Sequence, residues 1–236
     1  MAPVRNRAPR VDRARAPAQP RAARRRAALC GIPRAKRRFD LALACLLALP
    51  VGLVCAVLVA ALLLAQGRPV FYRSERMRTA EEGFVLWKFR TMTGPDRPPS
   101  VTAGHVAARI TPMGRVLRST RLDELPQLWN VLRGDMTFVG PRPPLRAVVT
   151  RHPDVYAGVL AARPGITGLA TVLYHRTEAR LLAGCVTQDE ADRLYDKTCV
   201  RQKARLDLLY RSRWSPGLDL AILGATLTGR WPRRRG

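Results

Sequence analysis

A chain of 236 residues, 47% of them hydrophobic, is long enough and apolar enough for one packed domain, which excludes a wholly disordered protein. Its 42 Lys and Arg against 17 Asp and Glu leave a formal charge of +25, which fits a polyanionic partner: nucleic acid, an anionic membrane surface or phosphorylated substrates. A composition that favours Arg and Ala wherever charge is tolerated accounts for part of this excess, so charge alone does not choose among them.

Residues 1–33 are rich in Arg, Ala and Pro with no apolar periodicity, and are expected to be a disordered basic tail, solvated or touching lipid. The basic part is too long for a signal peptide, and the apolar run that follows ends in Leu62-Leu63-Leu64 without an A-x-A site, so cleavage is not expected. From Leu41 to Ala65 the chain carries no charge, enough for a helix to span a hydrocarbon core of roughly 30 Å. Pro50 interrupts the run, and a kink or break is expected there. Both flanks are basic, with Arg34, Lys36, Arg37 and Arg38 before and Arg68, Arg73, Arg76 and Arg78 after. Positive flanks stay cytoplasmic, so a helix-break-helix that enters and leaves one face satisfies both, with a kinked single span as the alternative.

Beyond the apolar run, Pro69–Tyr72 and Gly83–Phe89 are β-branched and aromatic and predict a hairpin, followed by a Pro- and Gly-rich loop at 94–104. Thr111-Pro112 reads as an N-cap with Pro at the first helical position, the helical signal running through Leu117 and Leu122 to Leu125. Pro126 interrupts it, and Gln127–Leu132 predicts a further turn ended by Gly134. Gly140–Pro144 predicts a rigid loop. Residues 145–162 predict amphipathic helices that suit a membrane interface or an ordinary core equally. Arg163–Gly168 predicts a turn, Asp189–Arg213 a helical stretch and Asp219–Leu227 a last apolar segment.

The five cysteines, Cys30, Cys45, Cys55, Cys185 and Cys199, are odd in number and include no C-x-x-C pair, so neither a disulfide framework nor a zinc site is indicated. A reducing, cytosol-facing protein fits best. Aromatic residues at 6% form no stacking pattern of a single-strand reader, so nucleic acid is not the expected partner.

Chemistry concentrates at Arg118–Gln127, where Asp123 and Glu124 are adjacent and Arg118 and Arg121 lie within about one turn. Arginines keep such carboxylates ionised, and ionised carboxylates bind Mg²⁺ or attack phosphorus. An isolated Asp-Glu pair on a basic helix is most often a solvated surface. Here Lys88-Phe89-Arg90 follows a strand and Arg142 follows a turn, so fixed cations gather as a diphosphate requires.

These residues carry a resemblance to the bacterial sugar transferase family, the small monotopic polyprenyl-phosphate phosphoglycosyl transferases. It begins at Lys36–Asp40 and rests on KFRTM at 88–92, ITPMGRVLRSTRLDELPQLWNVLRGDM at 110–136, VGPRP at 139–143, RPGITGLA at 163–170 and the closing LDLLYRSRWSPGLDLAILGATL. The resemblance implies a mostly helical α/β monotopic membrane protein. It has a re-entrant anchor at 34–67 and a cytosolic catalytic domain at 68–236, with the hairpin and interfacial helices around the active site. It implies that Asp123 is the nucleophile on a nucleotide diphosphate sugar, that Glu124 with Asp123 holds Mg²⁺, and that polyprenyl phosphate then takes the phosphosugar. Lys88, Arg90, Arg118 and Arg142 match basic positions that hold phosphates, and Arg176 is a candidate ligand near the sugar or nucleotide. The implied setting is the bacterial inner membrane, with anionic lipid beside the chain and downstream glycosyltransferases as compatible partners. Arg78 stands where the family commonly has Gly, Thr171 replaces a frequent Gln, and Val172–Arg176 lacks a small Gly. The donor therefore stays open, as does a packed or surface role for His175.

Overall fold

The computed structural model describes residues 34–93, 109–229 and 231; the predicted tail at 1–33, Cys30 with it, and the loop at 94–104 lie outside the described residues. Helix α1, Arg34–Gln66, is long and apolar enough to cross a membrane. The break expected at Leu49-Pro50 is absent as a break in the helix, because α1 runs continuously through Pro50. One proline removes one backbone hydrogen bond and bends a helix, while the Leu, Ala and Val on either side keep the rest of the ladder.

The two ends of α1 are fixed and its middle is bare. At the start, the Lys36 ammonium lies 2.6 Å from Asp219, and both side chains are buried. Arg37 donates to the carbonyls of Val131 and Leu132 at 2.6 and 2.9 Å, and Asp40 accepts from the Thr137 hydroxyl at 2.6 Å. Toward the end, Cys55, Leu58, Val59 and Leu62 join an apolar cluster with Val70, Phe89, Leu117, Leu122 and Leu125. Leu46, Leu49, Leu53 and Val57, around Pro50, are exposed.

Strands β1, Phe71–Met77, and β2, Gly83–Phe89, form the antiparallel hairpin, with Phe71 opposite Phe89 and Met77 opposite Gly83. The first strand is longer than the apolar residues predicted. It runs on through Arg73 and Glu75, which stay exposed while Ser74 is buried, as alternation across a pleat allows. Helix α2, Pro112–Ser119, starts as expected, with the Thr111 hydroxyl accepting from the Gly114 N–H at 2.9 Å. A Cβ on Gly114 would collide with the Thr91 carbonyl, so the helix start sits directly on the strand exit.

The helical signal to Leu125 is not followed. Helix α2 stops at Ser119, Arg121 turns left-handed at φ 57°, and Leu122–Glu124 form a short 3₁₀ turn before helix α3, Gln127–Arg133. A left-handed non-glycine residue costs about 1–2 kcal/mol, and no glycine marks the position.

Strands β3, Thr137–Val139, and β4, Gly165–Thr167, pair in parallel. Between them lie helices α4, Arg146–Arg151, and α5, Pro153–Val159. Their Val148, Val149, Tyr156 and Val159 are buried with Met77, Cys199 and Val200, so of the two readings left open for 145–162 these side chains take the core. Helix α6, Leu169–Leu182, was not foreseen. The predicted helical stretch 189–213 is α7, Gln188–Leu194, a π turn at Tyr195–Cys199 and α8, Val200–Ser212. Helix α9, Pro216–Thr228, closes the chain and is capped by Ser215.

Asp219 on α9 joins these parts. It takes Lys36, accepts from Trp214 Nε1 at 3.1 Å, and lies 2.7 Å from the Tyr210 hydroxyl, itself 2.9 Å from the Val139 carbonyl. Removing one partner of a buried ion pair leaves the other uncompensated, at a cost on the order of 3–5 kcal/mol. Asp219→Ala, which strands Lys36 in the core, is expected to lower the unfolding midpoint in detergent far more than Lys36→Met. In the latter, Asp219 keeps its tyrosine and tryptophan partners. Equal midpoints would refute the pair's role in seating α1.

Candidate active site

The 3₁₀ turn delivers Asp123 and Glu124 side by side, both buried, onto the face of the hairpin that carries Lys88. Trp87 N–H donates to Asn130 Oδ1 at 3.2 Å, and Asn130 Nδ2 donates to the Val85 carbonyl at 2.8 Å, which ties β2 to α3 just beyond the pair. Lys88 Nζ then lies 2.7 Å from Glu124 Oε1 and 4.0 Å from Asp123 Oδ2.

The third partner comes from the GPRP loop. Arg142 NH2 donates to the same Glu124 Oε1 at 3.1 Å. The loop is held by backbone contact. Gly140 N–H donates to the Thr167 carbonyl and Gly165 N–H to the Pro141 carbonyl, each at 2.8 Å. A Cβ on Gly140, Gly165 or Gly168 would collide with the facing backbone. Two sequence motifs, VGPRP and RPGITG, are thus the two halves of one clamp, and its product is a fixed position for Arg142.

The adjacent carboxylates end up unlike. Burial opposes charge on Glu124, but Arg142 and Lys88 outweigh it and hold the carboxyl down at about 2. Burial also dominates at Asp123, where Lys88 only partly offsets it and the Glu124 charge adds to it, so this carboxyl is pushed up. Among the described residues Asp123 accepts no hydrogen bond; Lys88 at 4.0 Å is its ion-pair partner. Lys88 in turn is pushed down by burial and then by Arg142, while Glu124 holds Arg142 up.

The other expected residues divide. Arg118 is exposed on the last turn of α2, donates to Met92 Sδ at 3.8 Å, and lowers the Asp123 carboxyl through its charge. Arg90 is not at the pair: it donates to the Gln66 and Gly67 carbonyls at 2.7 and 3.0 Å and to Arg68 at 3.3 Å, capping the end of α1. Arg176 reaches the Gly229 carbonyl at 3.3 Å, beside α9, and makes no contact with the pair. His175, one residue earlier, is pushed down by partial burial and then by Arg121.

Of the remaining cations, Arg121 was noted beside the pair without a place in the site, and Arg76 was missed. Arg121 NH1 stands 4.0 Å from Glu124 Oε2, brought there by its own left-handed turn. Arg76 on β1 feels Arg142 and Glu124, and only its cross-strand register with β2 could have assigned it to the Lys88 face.

The family model described as bacterial sugar transferase matches residues 32–231. The chain belongs to the bacterial sugar transferase family. It is 34% identical over 193 residues to the uncharacterized sugar transferase EpsL of Bacillus subtilis (strain 168), covering 81% of this chain and 85% of that one. It is 35% identical over 200 residues to the UDP-glucose:undecaprenyl-phosphate glucose-1-phosphate transferase of Caulobacter vibrioides, covering 81% and 68%. The protein of the same name in Klebsiella pneumoniae is 32% identical over 198 residues, covering 81% of this chain and 39% of that longer one. Every motif discussed above falls within the matched region of this sugar transferase.

The electrostatic split is directly measurable. In metal-free protein, side-chain carboxyl ¹³C titration is expected to place Asp123 above the ordinary aspartate range, while Glu124 stays ionised down to about pH 2. A lowered carboxyl loses its stabilisation as pH falls through the folded value, so replacing Arg142 by Met should bring the Glu124 titration up. Identical titration of the two carboxyls would refute the assignment.

Proposed function

We propose that the chain transfers a sugar-1-phosphate from a nucleotide diphosphate sugar to a polyprenyl phosphate through a phosphosugar ester of Asp123. The observation that carries this reading is the contrast within the pair: Glu124 is locked by two cations, while Asp123 is buried, accepts no hydrogen bond and lies 4.0 Å from Lys88. A carboxylate kept free of hydrogen bonds in a dry, cationic site is a competent nucleophile toward phosphorus. Relatives whose names give UDP-glucose as donor and undecaprenyl phosphate as acceptor support those substrate classes here.

In the first displacement an Asp123 oxygen bonds to the sugar-bearing phosphorus. The bond from that phosphorus to the bridging oxygen breaks, and the electron pair leaves with nucleoside monophosphate. In the second, a phosphate oxygen of the polyprenyl carrier bonds to the same phosphorus and the Asp123 carboxylate is expelled. Charge balances in both without proton transfer. Lys88 and Arg142 hold phosphoryl oxygens in place, and Arg118 steers anions from the exposed rim.

The donor set suits Mg²⁺, which takes one or two carboxylates and completes its shell with phosphate and water. Glu124 Oε2 and the Asp123 carboxylate accept no hydrogen bond among the described residues, with Arg121 and Lys88 each 4.0 Å away, and these two residues would hold the ion. Bound there, Mg²⁺ supplies charge neutralisation at the phosphoryl oxygens.

The proposed setting is the cytosolic face of the bacterial inner membrane, with α1 re-entrant. A straight helix separates Arg37 from Leu62 by about 37 Å at 1.5 Å per residue. Yet Arg37 is seated on Val131 and Leu132, and Leu62 clusters with Leu122 and Leu125 of the same short segment. A bend at Pro50 that brings both arms to one body and leaves Leu49 and Leu53 to lipid accounts for this, and basic flanks on one side agree with it.

Two experiments test the reading. Purified protein with polyprenyl phosphate and Mg²⁺, offered a panel of nucleotide sugars, is expected to release nucleoside monophosphate and to form a labelled adduct. Asp123→Asn should abolish both, and Glu124→Gln should weaken turnover in a way that added Mg²⁺ partly restores. Adduct formation by the Asp123 variant would sink the nucleophile. For topology, single cysteines at positions 38 and 68 in a cysteine-free background should both react with impermeant maleimide only from the cytosolic side. Periplasmic labelling of either would establish a span.

A further inference from the structure

The hairpin face that presents Lys88 holds a second cation for which the described residues supply no hydrogen-bond or ion-pair partner. Tyr72 lies opposite Lys88, Ser74 opposite Leu86 and Arg76 opposite Phe84, so Arg76 shares a face with Lys88. The next residue, Met77, donates its N–H to the Pro144 carbonyl at 3.0 Å, which fixes this end of β1 against the loop that carries Arg142. Arg76 Nε is shut off from solvent and has no hydrogen-bond partner, and among the described residues its guanidinium makes no ion pair or ring contact. Burial and the like charge of Arg142 push it down to about 10. A guanidinium offers five donors in a rigid fork and is shaped for carboxylate or phosphate.

Its place relative to the nucleophile narrows the anion. The charges that chiefly act on Asp123 are Lys88, Glu124, Arg118 and Arg142, and Arg76 answers to Arg142 and Glu124 as well, so Arg142 bears on both residues. Phosphoryl transfer runs in line, with the leaving oxygen opposite the attacking one.

We propose that Arg76 is a substrate ligand that holds the phosphate of the departing nucleoside monophosphate. This rests on the displacement at Asp123 described above. When the bond between phosphorus and the bridging oxygen breaks, that oxygen keeps the electron pair and the nucleoside phosphate gains one negative charge. Arg76 meets that charge with donors left unused by the described residues, and no proton moves.

The two half-reactions separate this role from a structural one, because nucleoside monophosphate is a product of the first and absent from the second. Arg76→Met is expected to slow adduct formation at least tenfold while discharging preformed adduct to polyprenyl phosphate at the parent rate. Its dissociation constant for uridine monophosphate, measured by calorimetry on the full chain in detergent, should rise at least tenfold. Arg76→Lys, which keeps the charge without the fork, should recover part of both losses. Unchanged nucleotide affinity in folded Arg76→Met, or a proportional loss in both half-reactions, would overturn the proposal. If the parent turns over without any adduct, the covalent route fails instead, and Arg76 is judged on nucleotide affinity alone.

Discussion

Keeping Glu124 ionised in a buried position is the constraint around which the rest of this molecule is arranged. A buried carboxylate is tolerated only when cations and hydrogen bonds replace the water it loses. Both cations must come from elsewhere in the chain: Lys88 from 36 residues before and Arg142 from 18 residues after. The hairpin exists at this spot to deliver the first, and the parallel pair β3–β4 to deliver the second. The glycines at 140, 165 and 168 follow from that requirement, since backbones must touch for the Arg142 loop to lie where it does.

The same logic of charge delivered across long separations seats the apolar helix. Lys36 and Asp40 are buried near the start of α1, and both are answered by side chains or backbone of the globular body, at Asp219, Thr137 and Phe138. Arg90 answers the other end by taking the carbonyls that the last turn of α1 leaves unpaired. Because Arg90 stands two residues after Lys88 on the same strand exit, the end of the membrane helix and the site cation are set by one short segment. The helix is therefore tied to the candidate site through the strand exit as well as through its own start.

Much of this was legible in the sequence where local chemistry decides the outcome. The apolar run, the Thr111-Pro112 cap, the second strand and the apolar character of the last segment follow from composition and capping alone. The motifs that carry Asp123, Glu124, Lys88 and Arg142 also indicated that these side chains gather in one place, as they do. What was not legible depends on tertiary reach. Arg90 sits in a basic motif that looks like phosphate binding, and only the position of the α1 carbonyls shows that it caps a helix. The end of α2 at Ser119 was hidden because Leu122 and Leu125 continue an apolar rhythm, and a left-handed Arg121 has no local signature. Strands β3 and β4 are three residues each, too short to alternate visibly. Helix α6 lacks a clean apolar stripe and was passed over for that reason.

Asp123 and Glu124 show why adjacency in sequence does not imply equivalence in chemistry. Both are buried to the same degree, yet one is held far below its ordinary range and the other is raised. The difference comes from which oxygens the cations reach: Lys88 and Arg142 both meet Glu124 Oε1, while Lys88 stands 4.0 Å from Asp123 Oδ2. The left-handed turn at Arg121 ends the run from α2 and opens the 3₁₀ turn that carries both acids. A carboxylate fixed by two cations suits metal binding, because it stays ionised and fixed in place. A carboxylate left without hydrogen bonds suits bond formation, because nothing must be broken before it attacks. Two neighbouring acids thus end in unlike electrostatic surroundings just past a single local departure from helical geometry.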